Sequence, residues 1–523
     1  MGSPAERGQR RAPSSCRAGR NRQPPPGRLR LWIGQRHRVQ LLELHLVGRR
    51  GVVRRLVLRE LVVRRLLRRD LVVGGSSTAG ASGSAGSDSG SATASSGSGT
   101  GTGATGAGLP NTGKTIDIMG FSTGDEVGTS RVDYAEKQDP SLQVQVDQNG
   151  FDAQKFATAM GGGSAPAGVY MDRELLATYA QKGFLQPLDD CISADGIDLS
   201  QYYPDAVKEA TYNGKIYGIP DFYTVRAVLI NNKVLSGAGL TTADIDTSNW
   251  DKLTSAATKM YKASGGKPSV IGYDPKLPEY LPLWAMANGG SIIGADGKPT
   301  LNDPKVVEAL KYTVSLVNAQ GGWANFKSFR DTWDFFGAGN EFAKNQIGAM
   351  DYEQWYVNVL AGFPASSDLS AVPFKGRDGQ PLSTATGGAF ALPKDSPNAG
   401  GMCQFMKLVT SKEAWAAAGA ARAAALAPKK GIFTGLFSAN KVANDALQKQ
   451  YVKPSGNSKI DAVIKVYYDA LSYAKTVPPS PVGQDIKSAY EQAVTDALGG
   501  KDPQQALDAA QETAQNAYDD AVG

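Results

Sequence analysis

The chain has 523 residues, of which 41% are hydrophobic and 20% are charged. A chain of this length is too long to form a single ordinary hydrophobic core and is suited to two or three globular units. The net charge of +6 is divided unevenly, because residues 1–75 hold 19 Arg, no Lys and four acidic residues and so carry +15. The remaining residues therefore carry −9, which argues against nucleic acid as their partner.

Histidine and cysteine usage excludes most kinds of enzyme. The two histidines, His37 and His45, both lie in the basic tail, so the rest of the chain has no imidazole for base catalysis, a catalytic triad or metal binding. Cys16, Cys191 and Cys403 form no C-x-x-C pair, so zinc, iron–sulfur and dithiol redox sites are unsupported. We therefore expect a protein that is not an enzyme and has no cofactor and no metal site.

The first 112 residues do not show the pattern of a folded domain. Residues 1–73 are rich in Arg, and from Val52 to Arg69 Arg pairs alternate with apolar pairs at a period of about five residues, which spreads both kinds around every face of a helix. We interpret this segment as a basic, non-globular extension or a reading-frame artefact. Residues 74–112 are rich in Gly and Ser and are predicted to be a disordered linker. No continuous apolar signal segment precedes it, and Gly75 stands where a lipid-attachment Cys would be expected.

The sequence becomes globular from Lys114 onward and predicts an α/β fold. Alternating apolar residues predict strands at 115–119, 142–146 and 168–171, and helices between them at 125–138 and 151–159. This βαβαβ order implies a mostly parallel sheet with helices on both faces. Later helices are predicted at 303–319, 331–344, 398–410, 460–474 and 482–498.

Several segments between residues 114 and 523 resemble, in the same order, the sugar-binding proteins of ABC importers, the group that includes maltose-binding protein. They are 213–220 (NGKIYGIP), 229–233 (LINNK), 248–253 (SNWDKL), 281–290 (LPLWAMANGG), 342–350 (FAKNQIGAM) running to Trp355, 386–393 (TGGAFALP), 405–411 (FMKLVTS) and 478–481 (PPSP). Each motif is weak alone, and the ordered set is specific. The chain departs from the family at 229–231, where the usual Y-Y-N is LIN, and in the Ala-rich segment 414–427.

The resemblance implies a two-lobed periplasmic-binding-protein fold of the type II kind, with discontinuous lobes joined by a multi-strand hinge. Lobe one is expected at 113–224 and 391–440, and lobe two at 225–390 and 441–523. It also implies an extracytoplasmic, membrane-tethered, monomeric receptor. Such a receptor closes on a mono- or oligosaccharide or a polyol and delivers it to the transmembrane subunits of an ABC permease.

A sugar site needs flat aromatic rings for stacking and carboxylates or amides for hydrogen bonds to hydroxyls. The resemblance makes Trp355 the stacking residue, with Tyr352 and Glu353 beside it. The other candidates are Glu279, Tyr280 and Trp284 before a Gly-Gly turn, Ser122, Thr123, Asp125 and Asp172 after strands of lobe one, Tyr223 and Arg226 at the first crossing, and Gly387 and Gly388 for close backbone approach. In the predicted helix 331–344, Trp333, Phe335 and Phe336 have a spacing that favours a place in the core.

Two other functions and one bond stay open at this point. A receptor of the same fold for a non-sugar solute would carry ligands suited to iron, phosphate or polyamine. A glycoside hydrolase would need two opposed carboxylates, for which Glu279 and Glu353 are available. Export would also allow a disulfide between Cys191 and Cys403, and the sequence does not decide whether it forms.

Overall fold

The computed structural model describes residues 42–47, 53–58, 109–363 and 368–523. Two units are distinguished, residues 1–100 and 101–523. In the first, β1 (Leu42–Val47) and β2 (Val53–Leu58) form an antiparallel pair in which Leu42 is opposite Leu58. These strands were not predicted. The rest of the predicted extension 1–73, and the predicted linker up to residue 108, lie outside the described residues.

The second unit contains two five-stranded mixed sheets, two short two-stranded sheets and seventeen α-helices among its described residues. Its strands are β3 (Ile116–Met119), β4 (Val144–Val146), β5 (Gly168–Asp172), β6 (Thr211–Tyr212), β7 (Lys215–Ile216), β8 (Ile219–Pro220), β9 (Arg226–Asn231), β10 (Lys262–Ser264), β11 (Lys267–Asp274), β12 (Ile347–Glu353), β13 (Leu369–Val372), β14 (Ser383–Thr384), β15 (Gly388–Ala391) and β16 (Ala474–Lys475).

Its helices pack on both faces of the larger sheets. They are α1 (Glu126–Gln138), α2 (Ala153–Gly161), α3 (Leu176–Gln181), α4 (Asp189–Asp195), α5 (Pro204–Glu209), α6 (Asn232–Gly237), α7 (Trp250–Met260), α8 (Leu281–Ala287), α9 (Pro304–Asn318), α10 (Trp323–Arg330), α11 (Trp355–Leu360), α12 (Ala399–Val409), α13 (Lys412–Leu426), α14 (Lys441–Tyr451), α15 (Ser458–Ala470), α16 (Gly483–Leu498) and α17 (Pro503–Val522). The α/β fold and the predicted βαβαβ start are therefore confirmed.

Each large sheet forms the centre of one lobe. The first has the order β4-β3-β5-β15-β8 and the second β10-β11-β12-β9-β13. The expectation of mostly parallel sheets is wrong, because only β3 with β4, β3 with β5 and β11 with β12 pair in parallel within them. The strands β15 and β9 enter from the opposite lobe and so run antiparallel to their neighbours. All six residues of β9 are buried, as expected for a central strand covered on both faces.

The lobes are joined where the chain crosses between the sheets. The chain leaves the first sheet after β8 and enters the second at β9, and it returns between β14 and β15. The two crossings are paired, because the amides and carbonyls of Thr224 and Thr386 exchange two hydrogen bonds of 2.8 and 3.0 Å. A third segment joins them through the parallel pairing of β14 with β16. This arrangement is the predicted multi-strand hinge.

The outer limits of the two lobes stay a prediction, and two contacts bear on them. Helix α14 lies in the segment expected in lobe two, yet its Ala443 and Leu447 pack with Trp415 of α13. Residues 109–112 lie in the predicted linker, yet Thr112 donates its amide hydrogen to Asn398 at 3.0 Å.

The helix predicted at 331–344 is not formed. Helix α10 ends at Arg330, and a series of turns follows it. Gly337 and Gly339 weaken helical propensity there. The Asn340 side chain also donates to the Phe335 carbonyl at 2.9 Å and accepts from the Phe342 and Ala343 amides at 3.1 Å. The spacing of aromatic residues that indicated a helix therefore belongs to a loop tied by one asparagine.

Cys191 of α4 and Cys403 of α12 form a disulfide, with their Cα atoms 5.6 Å apart. Both helices pack in the lobe of the first sheet, and both cysteines are buried. The bond closes a loop of 212 residues. Because it lies within one lobe, it stabilises that lobe without limiting movement between lobes.

Replacing both cysteines with alanine should therefore lower the free energy of unfolding by about 2–5 kcal/mol, through the greater entropy of the unfolded chain. Urea denaturation of the unliganded protein measures this. The wild type in reductant should lose stability similarly, and the Cys191→Ala/Cys403→Ala variant should not respond to reductant. Equal stability of the oxidised wild type and the double variant would show that the bond does not form.

Candidate functional site

A cavity of about 520 Å³ lies at the crossings between the two sheets. It receives side chains from both lobes and from α16. Its charged and aromatic lining comprises Asp172 at the end of β5, Arg173 and Glu174 after it, Glu209 of α5, Arg226 of β9, Lys276, Glu279 and Tyr280 before α8, Tyr352 and Glu353 of β12, and Lys487, Tyr490 and Glu491 of α16. Polar side chains gather here because β5 and β12 end at this edge, where α/β sheets place their ligand sites.

Arg226 fixes one wall of the cavity. Its guanidinium donates to Glu353 Oε1 at 2.7 Å and to Thr384 Oγ1 at 2.8 Å, and it lies 4.6 Å from the ring centre of Tyr280. The residue is 8% exposed. A buried cation of this kind needs such partners, so the guanidinium holds the three neighbouring groups in place.

A second buried ion pair supports the opposite wall. Arg173 donates from Nε to Glu209 Oε2 at 2.7 Å and from Nη1 to the Phe222 carbonyl. Burial raises the pKa of Glu209 to about 7, although Arg173 acts in the opposite direction. The pair attaches the end of β5 to the segment that crosses between lobes.

Three carboxylates of the cavity lack a hydrogen-bond or ion-pair partner among the described residues. They belong to Asp172 of lobe one, Glu279 of lobe two and Glu491 of α16. Burial, reinforced by the charge of Glu174, raises the pKa of Asp172, although its side chain faces water in the cavity. Burial also raises the pKa of Glu491, and the charges of Glu279 and Glu174 add to this effect against the attraction of Lys487. These oxygens are available as acceptors for a ligand.

Aromatic rings extend from the cavity to its rim. Tyr280 and Tyr352 line the cavity with ring centres 6.5 Å apart and planes 28° apart. Trp355 is the first residue of α11 and is 37% exposed. Its indole N–H donates to Glu353 Oε2 at 2.5 Å, and its ring lies 5.5 Å from that of Tyr352. Trp355 therefore lies beside the cavity rather than in its lining.

The structure brings seven of the fourteen predicted site residues into the cavity lining. They are Asp172, Arg226, Glu279, Tyr280, Tyr352, Glu353 and Gly387. Trp284 is fully buried and donates its indole N–H to the Pro275 carbonyl at 3.1 Å, so it is a core residue. Tyr223 is also buried, stacked on Tyr203 in the hinge.

The remaining predicted residues have local structural contacts. Asp125 caps α1 by accepting from the Gly128 amide at 2.9 Å, and its other oxygen faces Arg422. Ser122 and Thr123 bond to the amide of Gly124 and to the side chain of Gln148. Gly388 gives space to the ring of Tyr170. These four residues lie outside the cavity lining, and their role toward a ligand stays a prediction.

The sequence did not single out the charged and aromatic residues of α16. Lys487, Tyr490 and Glu491 occupy positions i, i+3 and i+4, so they share one face of the helix. That face carries a lysine and a glutamate beside a buried tyrosine, whereas a helix face that packs in a core is normally apolar along its length. Arg173 and Glu174, directly after Asp172, were missed as well.

Among the helices of the described residues, none combines the length and the apolar composition of a membrane span.

Curated relatives match part of the chain. A putative binding protein of Brucella abortus (strain 2308) is 25% identical over 190 residues, which is 35% of this chain and 44% of that protein. A probable ABC transporter-binding protein of Deinococcus radiodurans is 24% identical over 234 residues, 42% of this chain and 53% of that protein. The chain thus matches about half the length of these relatives.

Solved structures share the fold over most of the chain. An ABC substrate-binding protein from Listeria monocytogenes in complex with cycloalternan has a TM-score of 0.63 at 22% identity, covering 77% of this chain and 98% of that one. A maltose/maltodextrin-binding domain from Bdellovibrio bacteriovorus bound to maltotriose has a TM-score of 0.58 at 18% identity, covering 77% and 99%. UgpB from Mycobacterium tuberculosis in complex with glycerophosphocholine has a TM-score of 0.59 at 20% identity, covering 78% and 100%.

The family model of the bacterial extracellular solute-binding proteins matches residues 125–414, more than half of the chain. That segment includes the whole second sheet, four of the five strands of the first sheet and the two paired crossings between them. Its members bind solutes and are not enzymes. The chain belongs to the bacterial extracellular solute-binding protein family.

Proposed function

We propose that this receptor captures a carbohydrate in the cavity between its lobes and delivers it to the permease of an ABC transporter. The observation that carries the proposal is the combination of stacked tyrosines with unpartnered carboxylates in one interlobe cavity. Tyr280 and Tyr352 contribute aromatic rings to the lining, and Asp172 and Glu279 offer charged acceptors from opposite lobes.

The chemistry of a sugar matches this lining. The C–H face of a sugar ring packs against an aromatic face, and its hydroxyls donate strong hydrogen bonds to carboxylates. Lys276 can donate to the hydroxyl and ring oxygens that remain. A ligand that bonds Asp172 and Glu279 together bridges the lobes, so binding favours a closed arrangement of the hinge at Thr224 and Thr386.

The solved structures with the same fold support a saccharide ligand. Among them are complexes with mannobiose, mannotriose, cycloalternan and maltotriose.

A second candidate ligand is a solute with a quaternary ammonium group. The UgpB complex contains glycerophosphocholine, and three tyrosines beside free carboxylates can also hold a cation through its attraction to ring faces.

Hydrolysis is not proposed. Glu353, one of the two carboxylates that a glycosidase would need, accepts from Arg226 with one oxygen and from Trp355 with the other. Both carboxylate oxygens are therefore already engaged by other residues of the protein, which leaves neither free to protonate a glycosidic oxygen.

The receptor is also proposed to work outside the cytoplasm as a tethered monomer. Membership of an extracellular family supports the location, and the Gly/Ser-rich segment 74–112 has the composition of a tether. Light scattering of the purified chain should give the mass of one copy, and the protein recovered from its native cells should fractionate with the membrane. A stable dimer, or recovery in the cytoplasmic fraction alone, would contradict this.

A thermal-shift screen with mono-, di- and trisaccharides, polyols and glycerophosphocholine tests the ligand class. A saccharide present at 100 times its Kd should stabilise the protein by about 2.7 kcal/mol. A shift with glycerophosphocholine alone would favour the second candidate. The absence of a shift with every saccharide and polyol would overturn the carbohydrate proposal.

Asp172→Ala and Glu279→Ala should each weaken saccharide binding by about 1.5–3 kcal/mol, the range for hydrogen bonds to charged groups. Neither side chain has a partner to lose in the unliganded state, so melting temperature without ligand should hold or rise slightly. Since the pKa of Asp172 is raised, wild-type affinity should fall on acidification at a higher pH than for an ordinary aspartate.

The matched control for both variants is Glu512→Ala, an exposed carboxylate on α17 outside the cavity. Its affinity by calorimetry should equal that of the wild type. Unchanged affinity in both cavity variants would remove these carboxylates from the binding site.

A further inference from the structure

Two of the four large hydrophobic side chains that are exposed in the described residues lie against each other beside the cavity. Phe336 is 71% exposed and Trp355 is 37% exposed. Their ring centres are 6.1 Å apart and their planes differ by 14°. Single exposed apolar residues are common, but a stacked aromatic pair next to a ligand cavity indicates a binding surface. We call these two residues the rim pair.

The loop that carries Phe336 has defined contacts on its inner side. Asn340 Nδ2 donates to the carbonyl of Phe335, the preceding residue, at 2.9 Å. The ring of Phe335 packs inward against Tyr352, with ring centres 5.8 Å apart and planes 26° apart. The chain thus turns Phe335 toward the protein and Phe336 toward solvent. The exposed ring of Phe336 is held in place by its neighbours along the chain.

The rim pair is continuous with the cavity. The rings follow one another from Tyr280 to Tyr352 at 6.5 Å, from Tyr352 to Trp355 at 5.5 Å and from Trp355 to Phe336 at 6.1 Å. Trp355 is also tied to the cavity by its hydrogen bond to Glu353, which Arg226 holds.

We infer that the rim pair binds the outer units of an oligosaccharide whose inner end occupies the cavity, so that the ligand has three or more linked rings. This inference rests on the proposed carbohydrate function. A single sugar against Tyr352 would lie two rings away from Phe336 in this series and would leave that side chain in water. A longer chain covers the exposed faces of Trp355 and Phe336 and removes their apolar surface from solvent.

Calorimetry with mannose and glucose oligosaccharides of one to four units tests the inference. Affinity should rise with each unit up to at least three. Phe336→Ala should weaken the binding of tri- and tetrasaccharides by about 3- to 10-fold, the effect of one lost stacking contact, and leave mono- and disaccharide binding unchanged. Val442→Ala, which alters another exposed apolar residue on α14, should change none of these affinities.

The outcomes separate this inference from the proposed function. If a monosaccharide binds as tightly as the longer chains, or if Phe336→Ala leaves trisaccharide affinity unchanged, the outer site is overturned and the carbohydrate function stands. If transport falls in Phe336→Ala while every affinity is retained, the rim pair contacts the permease instead, and the inference is wrong. If no saccharide of any length binds, the proposed function fails and this inference fails with it.

Discussion

The buried guanidinium of Arg226 connects the parts of the protein that meet at the cavity. Arg226 opens β9, immediately after the first crossing, and its donors reach Glu353 at the end of β12 and Thr384 on the return crossing. A cation that is only 8% exposed is costly unless it is paired and hydrogen-bonded. The need to satisfy it therefore fixes the relative positions of two crossings and one cavity wall. Glu353 in turn accepts a hydrogen bond from the indole N–H of Trp355, so the position of that ring also depends on Arg226.

The charges of the cavity are divided in a way that suits a ligand rich in hydroxyls. Three of its four cations, Arg173, Arg226 and Lys487, each have a carboxylate partner. Three further carboxylates have none within residues 109–363 and 368–523, and the pKa values of Asp172 and Glu491 are raised. Such groups destabilise the empty protein slightly, and a donor from a ligand relieves that cost. The unpartnered groups that face the cavity are therefore mainly hydrogen-bond acceptors, because most of its donors already bond to groups of the protein.

The fold could be predicted because the signals for it are either local sequence patterns or motifs that occur in a fixed order along the chain. Alternating strands at 115–119 and 142–146 flank a capped helix, and ordered motifs such as NGKIYGIP indicated the crossings. The paired positions Glu279–Tyr280 and Tyr352–Glu353 line the cavity as predicted. Their roles toward a ligand stay a prediction.

The incorrect predictions for individual residues have physical causes that a single sequence does not reveal. Trp284 and Tyr280 lie in one short segment, and only tertiary packing decides that the indole enters the core while the phenol reaches the cavity. Phe336 was assigned to a helical core because the spacing of the aromatic residues favoured a helix, whereas local hydrogen bonds of Asn340 to the backbone of Phe335 and Phe342 form a loop. Helix α16 was predicted as a helix, but its position over the cavity depends on a contact between Lys487 and Glu174, which are far apart in the chain.

The central claim is that a saccharide is captured between two lobes that move about the paired crossings. The most direct measurement is the distance between spin labels on exposed Gln154 of α2 and Lys259 of α7, with Cys16 replaced by serine and the native disulfide intact. Pulsed electron resonance should give a distance distribution that shifts and narrows when a saturating saccharide is added. A saccharide that binds tightly while leaving this distribution unchanged would contradict the account.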